Sequence, residues 1–151
     1  MDNQKSSING RSAIDFSLLA MRIIVGVIFA AHGAQKLFGA FGGPGLTEIV
    51  KMMGPIGYLV AVGECLGGAG IVVGFLTRFS AASNIVIMFG AIALAHGKNG
   101  FFLQNGGFEY NLALIGLLLP IMLIGPGKYS IGHYLPLPKS ATTGRPVLFL
   151  E

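Results

Sequence analysis

The sequence predicts an all-α integral membrane protein, a four-helix bundle with short loops and a longer first outer loop. Three observations carry this. Of 151 residues, 53% are hydrophobic and only 11% charged, whereas a soluble domain carries charge on about a quarter of its residues. The mean hydropathy is +0.73. The apolar residues come in blocks near the ~20-residue length that crosses the hydrocarbon core as a helix, not in the short amphipathic periods of a soluble core.

Four blocks qualify: Phe16 to Ala34, Ile56 to Leu76, Phe79 to Ala95, and Phe108 to Ile124. The last contains Pro120, tolerated in a membrane helix because neighbours re-satisfy the freed carbonyl. The first reads as an uncleaved span and not a secretory signal, since Arg22 interrupts it and no small-x-small site closes it. Only Thr77 and Arg78 separate the second and third blocks, which predicts a tight hairpin there. The stretch GLTEIVKMMG in the first loop can form a short interfacial helix. The domain division expected is a polar cytoplasmic N-terminus over 1–15, a membrane domain over 16–134 and a cytoplasmic tail over 135–151.

Charge sets the expected orientation. With both termini inside, the cytoplasmic side holds Lys5, Arg11, Arg78, Lys128, Lys139 and Arg145, and the outer side Lys36, Lys51 and Lys98. That bias of six against three favours both termini in the cytoplasm. The dispersed basic residues flank apolar blocks, which argues against nucleic acid as a partner. The single cysteine, Cys65, excludes an intrachain disulfide and a Cys-x-x-Cys redox pair.

An internal repeat runs through the chain. Ala31-His32-Gly33 recurs as Ala95-His96-Gly97, and Gly42-Gly43 as Gly106-Gly107 at the same offset from each histidine. The two halves then share one orientation, as in a parallel repeat. Coincidence in a chain with 24 glycines is the competing explanation.

The second span carries two stripes of small residues. Gly63, Gly67, Gly70 and Gly74 form one; Gly57, Ala61, Glu64 and Gly68 form the other. Leu59, Val62, Leu66 and Val73 take the lipid side. Small residues let helix backbones approach closely, so this span is expected to be the most buried of the four.

Glu64 lies well inside it. A carboxylate there costs about 2.5–3.5 kcal/mol on insertion scales, so it needs a partner or a proton and becomes a functional-site candidate; a structural ion pair is the plainer alternative. Arg22, on a stripe with Gly26, Phe29, Gly33 and Lys36, is the natural counter-charge, with Asn84 as a bridge. Yet the Cβ vectors of Arg22 and Glu64 point toward their own helix N-termini and therefore apart. Arg22 can instead snorkel to the headgroups.

His32 and His96 stand near the outer ends of the first and third spans. Imidazole can ligate metal or haem, or hydrogen-bond a quinone carbonyl and shuttle its proton; both can also be solvated interfacial side chains. No acid or thiol cluster offers further ligand spacing. Phe101 and Phe102 either anchor an interface or line a ring-binding cleft, and Glu109 at the start of the fourth span favours the helix dipole. No phosphate-binding loop, Ser–His–Asp set or His-Glu-x-x-His motif is present.

In order along the chain, Arg22-x3-Gly26-x2-Phe29-x2-His32-Gly33-x2-Lys36-Leu37-Phe38-Gly39, Glu64-x2-Gly67-Gly68-x5-Gly74-x2-Thr77-Arg78, Ala81-Ala82, His96-Gly97, Gly100-Phe101-Phe102, Gly106-Gly107-x-Glu109-Tyr110 and Gly125-Pro126-Gly127-x2-Ser130 resemble the motifs of the DoxX family. The likeness covers roughly Ser17 to Tyr134. It implies a four-helix prokaryotic membrane protein labelled as an oxidoreductase component, with relatives among subunits of thiosulfate:quinone oxidoreductase and proteins linked to quinone or thiol stress. It brings positions and no assigned mechanism.

Three functions stay open at this level. The first is a redox-associated protein, a subunit of a quinone-linked oxidoreductase. There His32, His96, Lys36, Phe101, Phe102 and Glu109 contact a quinone, and Glu64 and Arg22 relay or tune protons as the catalytic pair. The second is a non-catalytic scaffold for a redox partner protein, or a homo-oligomer. The third is a small transporter component using Glu64 as a proton site.

Overall fold

The computed structural model describes residues 2–134. The tail expected over 135–151, with Lys139 and Arg145, lies outside the described residues. Six helices follow one another: α1 (Asp2–Phe38), α2 (Gly45–Met53), α3 (Ile56–Val73), α4 (Thr77–Ala91), α5 (Glu109–Ile124) and α6 (Ile131–Tyr134). No strand occurs among the described residues. α1, α3, α4 and α5 form the expected bundle of four apolar helices.

α1 is continuous through the expected boundary at Phe16. At 1.5 Å per residue it is about 55 Å long, well beyond the ~30 Å hydrocarbon core, so its polar N-terminal turns extend past the lipid chains. The predicted surface helix forms as α2. Its Ile49 is buried against α3, where a Cβ built on Gly57 would come within 3.0 Å of the isoleucine Cγ2. Its exposed face carries Met52 and a Glu48–Lys51 ion pair of 2.7 Å.

The hairpin between α3 and α4 lies three residues earlier than Thr77–Arg78. Gly74 ends α3 in the left-handed conformation, and its N–H donates to the Gly70 carbonyl at 2.9 Å. This is the usual way a glycine halts a helix, and Thr77 already opens α4. At its far end α4 does not stop but widens. Ile92–His96 form a π-helical turn, and Gly97–Asn99 a 3₁₀ turn, giving an apolar run from Thr77 to Asn99. α5 has 16 residues, about 24 Å, and holds Pro120 without interruption.

The helices pair as α1 with α3 and α4 with α5, so the sequence repeat corresponds to two hairpins. Both copies of the double glycine do the same job. Gly42 and Gly106 each adopt φ of 75°, a value other residues rarely take. A Cβ on Gly43 would meet Gln35 at 2.6 Å, and one on Gly107 the Phe101 carbonyl at 2.6 Å. Each pair folds its loop back onto the chain that entered it.

The two small-residue stripes of α3 serve different neighbours. Gly63 and Gly70 face α4, where added Cβ atoms would lie 2.9 Å from Ile87 Cδ1 and Ser80 Oγ; Gly68 faces α1, against Ala30 and Gly26. α3 is nevertheless not the most buried span, contrary to expectation. The most apolar windows of the three long helices are each 28% buried. Glycines set how closely a neighbour approaches, not how many neighbours there are. The opposite face, with Leu59 and Leu66, stays 73% and 65% exposed to the surrounding apolar phase. The core between the helices is built on Val25, Phe29, Ile71, Ile85, Leu114 and Leu118.

Candidate functional site

At the end of the bundle where α1 stops and α3 begins, the helices enclose a cavity of about 500 Å³. α1 contributes Phe29, His32 and Lys36; α3 contributes Ile56, Leu59, Val60 and Glu64. The α4 side, including its π turn, adds Val86, Met88, Gly90, Leu94 and His96, α5 adds Tyr110, Asn111 and Leu114, and Met53 of α2 closes one side. Leu59, Val86 and Leu94 are 73%, 70% and 72% exposed. The cavity therefore reaches the lipid-facing surface between α3 and α4.

Its charged wall is an ion pair between Lys36 Nζ and Glu64 Oε2. Side chains on a helix lean toward its N-terminus, and α1 and α3 run antiparallel. Lys36, near the end of α1, therefore leans inward, and Glu64 leans outward to meet it. Close approach of the backbones lets them touch. Gly33 lies against the Cys65 backbone, and a Cβ on Gly26 would be 2.8 Å from the Gly68 carbonyl. Pairing and hydrogen bonding are what make a carboxylate tolerable in such surroundings.

The same rule takes Arg22 elsewhere. It sits fourteen residues before Lys36, about 21 Å along α1, and leans outward at the opposite end of the bundle. It is 1% exposed. Its Nε donates to the Ile71 carbonyl at 2.9 Å and Nη2 to that of Val72 at 2.9 Å. Nη1 donates to the carbonyls of Pro126 at 2.7 Å and Tyr129 at 2.8 Å. The first two belong to the last turn of α3, whose carbonyls have no intrahelical donor and whose dipole end favours a cation. The counter-charge of Glu64 is thus Lys36, and Arg22 stitches the end of α3 to the segment after α5. Asn84 does not bridge them: it is fully buried and donates to the Ser80 carbonyl at 2.9 Å.

His96 Nδ1 lies 2.8 Å from the Gly106 carbonyl. A carbonyl only accepts, so Nδ1 carries the proton, and in the neutral ring Nε2 is left as an acceptor. The π turn contributes Leu94 and His96 to the wall; such turns are frequent at functional sites. His32 lines the same cavity from α1, which brings the two repeated histidines together.

The aromatic loop stands apart. Phe101 packs edge-on against Phe102 and Phe108, with ring centroids 5.4 and 5.5 Å apart. Neither Phe101, Phe102 nor Glu109 lines the cavity. Glu109 occupies the first turn of α5, and its N–H donates to the Phe101 carbonyl at 2.9 Å. This loop carries Gly106, and so the carbonyl that orients His96. Asn111 and Tyr110 were missed from the sequence. The signal was there in Asn111, an amide inside an otherwise apolar helix, which in a membrane is a candidate by default.

The DoxX family model matches residues 17–97. The chain belongs to the DoxX family. The match runs from residue 17 of α1 through the π turn, and with it takes in Arg22, His32, Lys36, Glu64 and His96. Among curated proteins, this DoxX chain is 31% identical to the inner membrane protein YqjF of Escherichia coli, over 80% of its own length and 93% of that protein. It is 27% identical to an uncharacterised membrane protein of Mycobacterium tuberculosis, over 79% of its length and 81% of the relative. To the Bacillus subtilis protein named "Putative oxidoreductase CatD" it is 28% identical, over 72% of its length and 81% of the relative. No solved structure matches the chain.

Proposed function

We propose that this DoxX-family protein is the membrane subunit of a quinone-linked oxidoreductase, binding a quinone ring in the cavity between α1, α3, α4 and α5. The observation that carries the reading is a ring-sized space, about 500 Å³, with an apolar rim at the lipid-facing surface and a polar wall of Lys36, Glu64, His32 and His96. Cavities of about 300–1,000 Å³ with a few converging polar groups are the usual form of small-molecule sites. A lipid-dissolved ring reaches this one sideways, past Leu59, Val86 and Leu94. The name of the Bacillus subtilis relative points the same way.

Lys36 then donates to a ring carbonyl while Glu64 holds its ammonium in place. His96, with Nε2 free to accept, takes a hydrogen bond from the hydroxyl of the reduced ring. Arg22 holds the far end of α3 and does not line the cavity. Electrons pass to or from a redox protein partner. The excess of basic residues on one side supports an orientation with the 1–15 segment and the 135–151 tail in the cytoplasm of a bacterial plasma membrane, which would put the cavity toward the outer leaflet.

The test is quinone binding to the purified protein in lipid nanodiscs, with empty nanodiscs as the partition control. Lys36→Met and His96→Ala are each expected to weaken binding several-fold. Unchanged affinity in both, or no binding above partition by the wild type, overturns the reading.

A further inference from the structure

Asn111 is 7% exposed and forms part of the cavity wall on α5. Its Nδ2 donates to Met88 Sδ at 3.4 Å, and a thioether is a weak acceptor. No hydrogen bond reaches its Oδ1 among the described residues. That oxygen is not sealed inside the wall, unlike the enclosed and unpartnered Oδ1 of Asn84, so it is open to a donor in the cavity, where hydrocarbon supplies none.

The other polar groups of the cavity are Lys36 and His32 from α1, Glu64 from α3, His96 from the π turn, and Tyr110 beside Asn111 on α5. Most of the remaining lining is apolar, with Phe29, Met88 and Leu114 among it. The cavity thus has polar groups on both hairpins, Lys36, His32 and Glu64 on α1–α3 and His96, Tyr110 and Asn111 on α4–α5, and each hairpin makes one pole. A lipophile with one polar end, such as a fatty acid or a monophenol, satisfies one pole. A ring with an oxygen at each end satisfies both.

We propose that Asn111 is the second pole, the residue that selects para-quinone rings over lipophiles with a single polar end. The proposal rests on the quinone-binding reading and adds to it the substrate class and the discriminating side chain. An amide suits both redox states, because Nδ2 donates to a quinone carbonyl and Oδ1 accepts from a hydroquinone hydroxyl. Lys36, with three donors and no acceptor, cannot serve alone in both directions.

The experiment compares two probes of the same ring size in nanodiscs: duroquinone, with two opposed oxygens, and 2,3,5,6-tetramethylphenol, with one. Asn111→Leu keeps the volume and removes the amide. It is expected to weaken duroquinone about tenfold, as for loss of one buried hydrogen bond, and to leave the phenol within about twofold. Its melting temperature should equal or exceed that of the wild type, because an incompletely bonded amide has left an apolar wall. Equal weakening of both probes, or no change in either, overturns the assignment of Asn111 and leaves the quinone reading standing. A wild type that binds neither probe overturns the quinone reading and this proposal with it. Should Asn111→Leu not be recovered folded, Asn111→Ser removes the amide more gently, and the same outcomes decide.

Discussion

Lys36 and Glu64, 28 positions apart in the chain, form an ion pair across the α1–α3 crossing, with the lysine side chain 23% exposed and the carboxylate 5%. The pair sits in the wall of the cavity. It is at once the solution to a buried acid and the chief polar feature that a ligand meets.

Removing the lysine alone should be costly. Lys36→Met strands Glu64, and breaking a buried pair from one side costs roughly 3–5 kcal/mol, with the lower end expected because Lys36 is partly exposed. Lys36→Met combined with Glu64→Leu should recover most of that loss. A double-mutant cycle on thermal stability in detergent checks it; additive losses would mean that the two side chains do not interact.

Arg22 makes a contrasting prediction. Its fork reaches four carbonyls, and a lysine offers three donors from one point. Arg22→Lys should therefore destabilise by about 2 kcal/mol or more, given roughly 1.5–3 kcal/mol for a hydrogen bond to a charged group. Hydrogen exchange should rise first at Ile71, Val72 and 126–130, with quinone affinity unchanged at temperatures where the variant stays folded.

The glycines separate by what they touch. Gly33→Ala drives a methyl into the Cys65 backbone and should push α1 from α3, lowering the melting temperature and weakening ligand binding together. A methyl added at Gly116 on α5 would meet no atom within 4 Å, so Gly116→Ala should be neutral or stabilising by up to about 1 kcal/mol, the helix-propensity difference. Thermal melts of the two variants side by side decide.

The lateral opening can be watched directly. The protein contains no tryptophan, so Leu94→Trp installs a single reporter at the cavity rim. Its emission should be quenched by duroquinone at concentrations that leave the same reporter unquenched in a Lys36→Met background. Equal quenching in both would indicate partition into lipid and not occupancy of the site.

Orientation is tested by labelling. In a Cys65→Ala background, Lys98→Cys should react with an impermeant maleimide on intact cells, and Arg11→Cys only after permeabilisation. The reverse pattern would invert the proposed topology.

Much of the architecture was legible in the sequence because membrane helices announce themselves by length and apolarity. The repeated histidines were legible too, and they do meet at one cavity. The hairpin position was misread because Gly74, not the polar pair after it, supplies the left-handed turn. The partner of Glu64 was misread because Arg22 interrupts the first apolar block, whereas Lys36 stands just beyond its end. The lean of side chains toward helix N-termini, applied to both bases, favours the lysine.

By itself, then, the chain's order of residues determined four apolar helices, their close approach along glycine stripes, and the presence of an acid that must find company. Hydrophobic length and side-chain size are local properties, readable one span at a time. Only the tertiary structure decided which base meets Glu64, that Arg22 serves the α3 carbonyls, and that Asn111 shares a cavity with the histidines. Those outcomes depend on the depth and rotation of one helix against another, which arise when antiparallel helices cross and are written in no single segment.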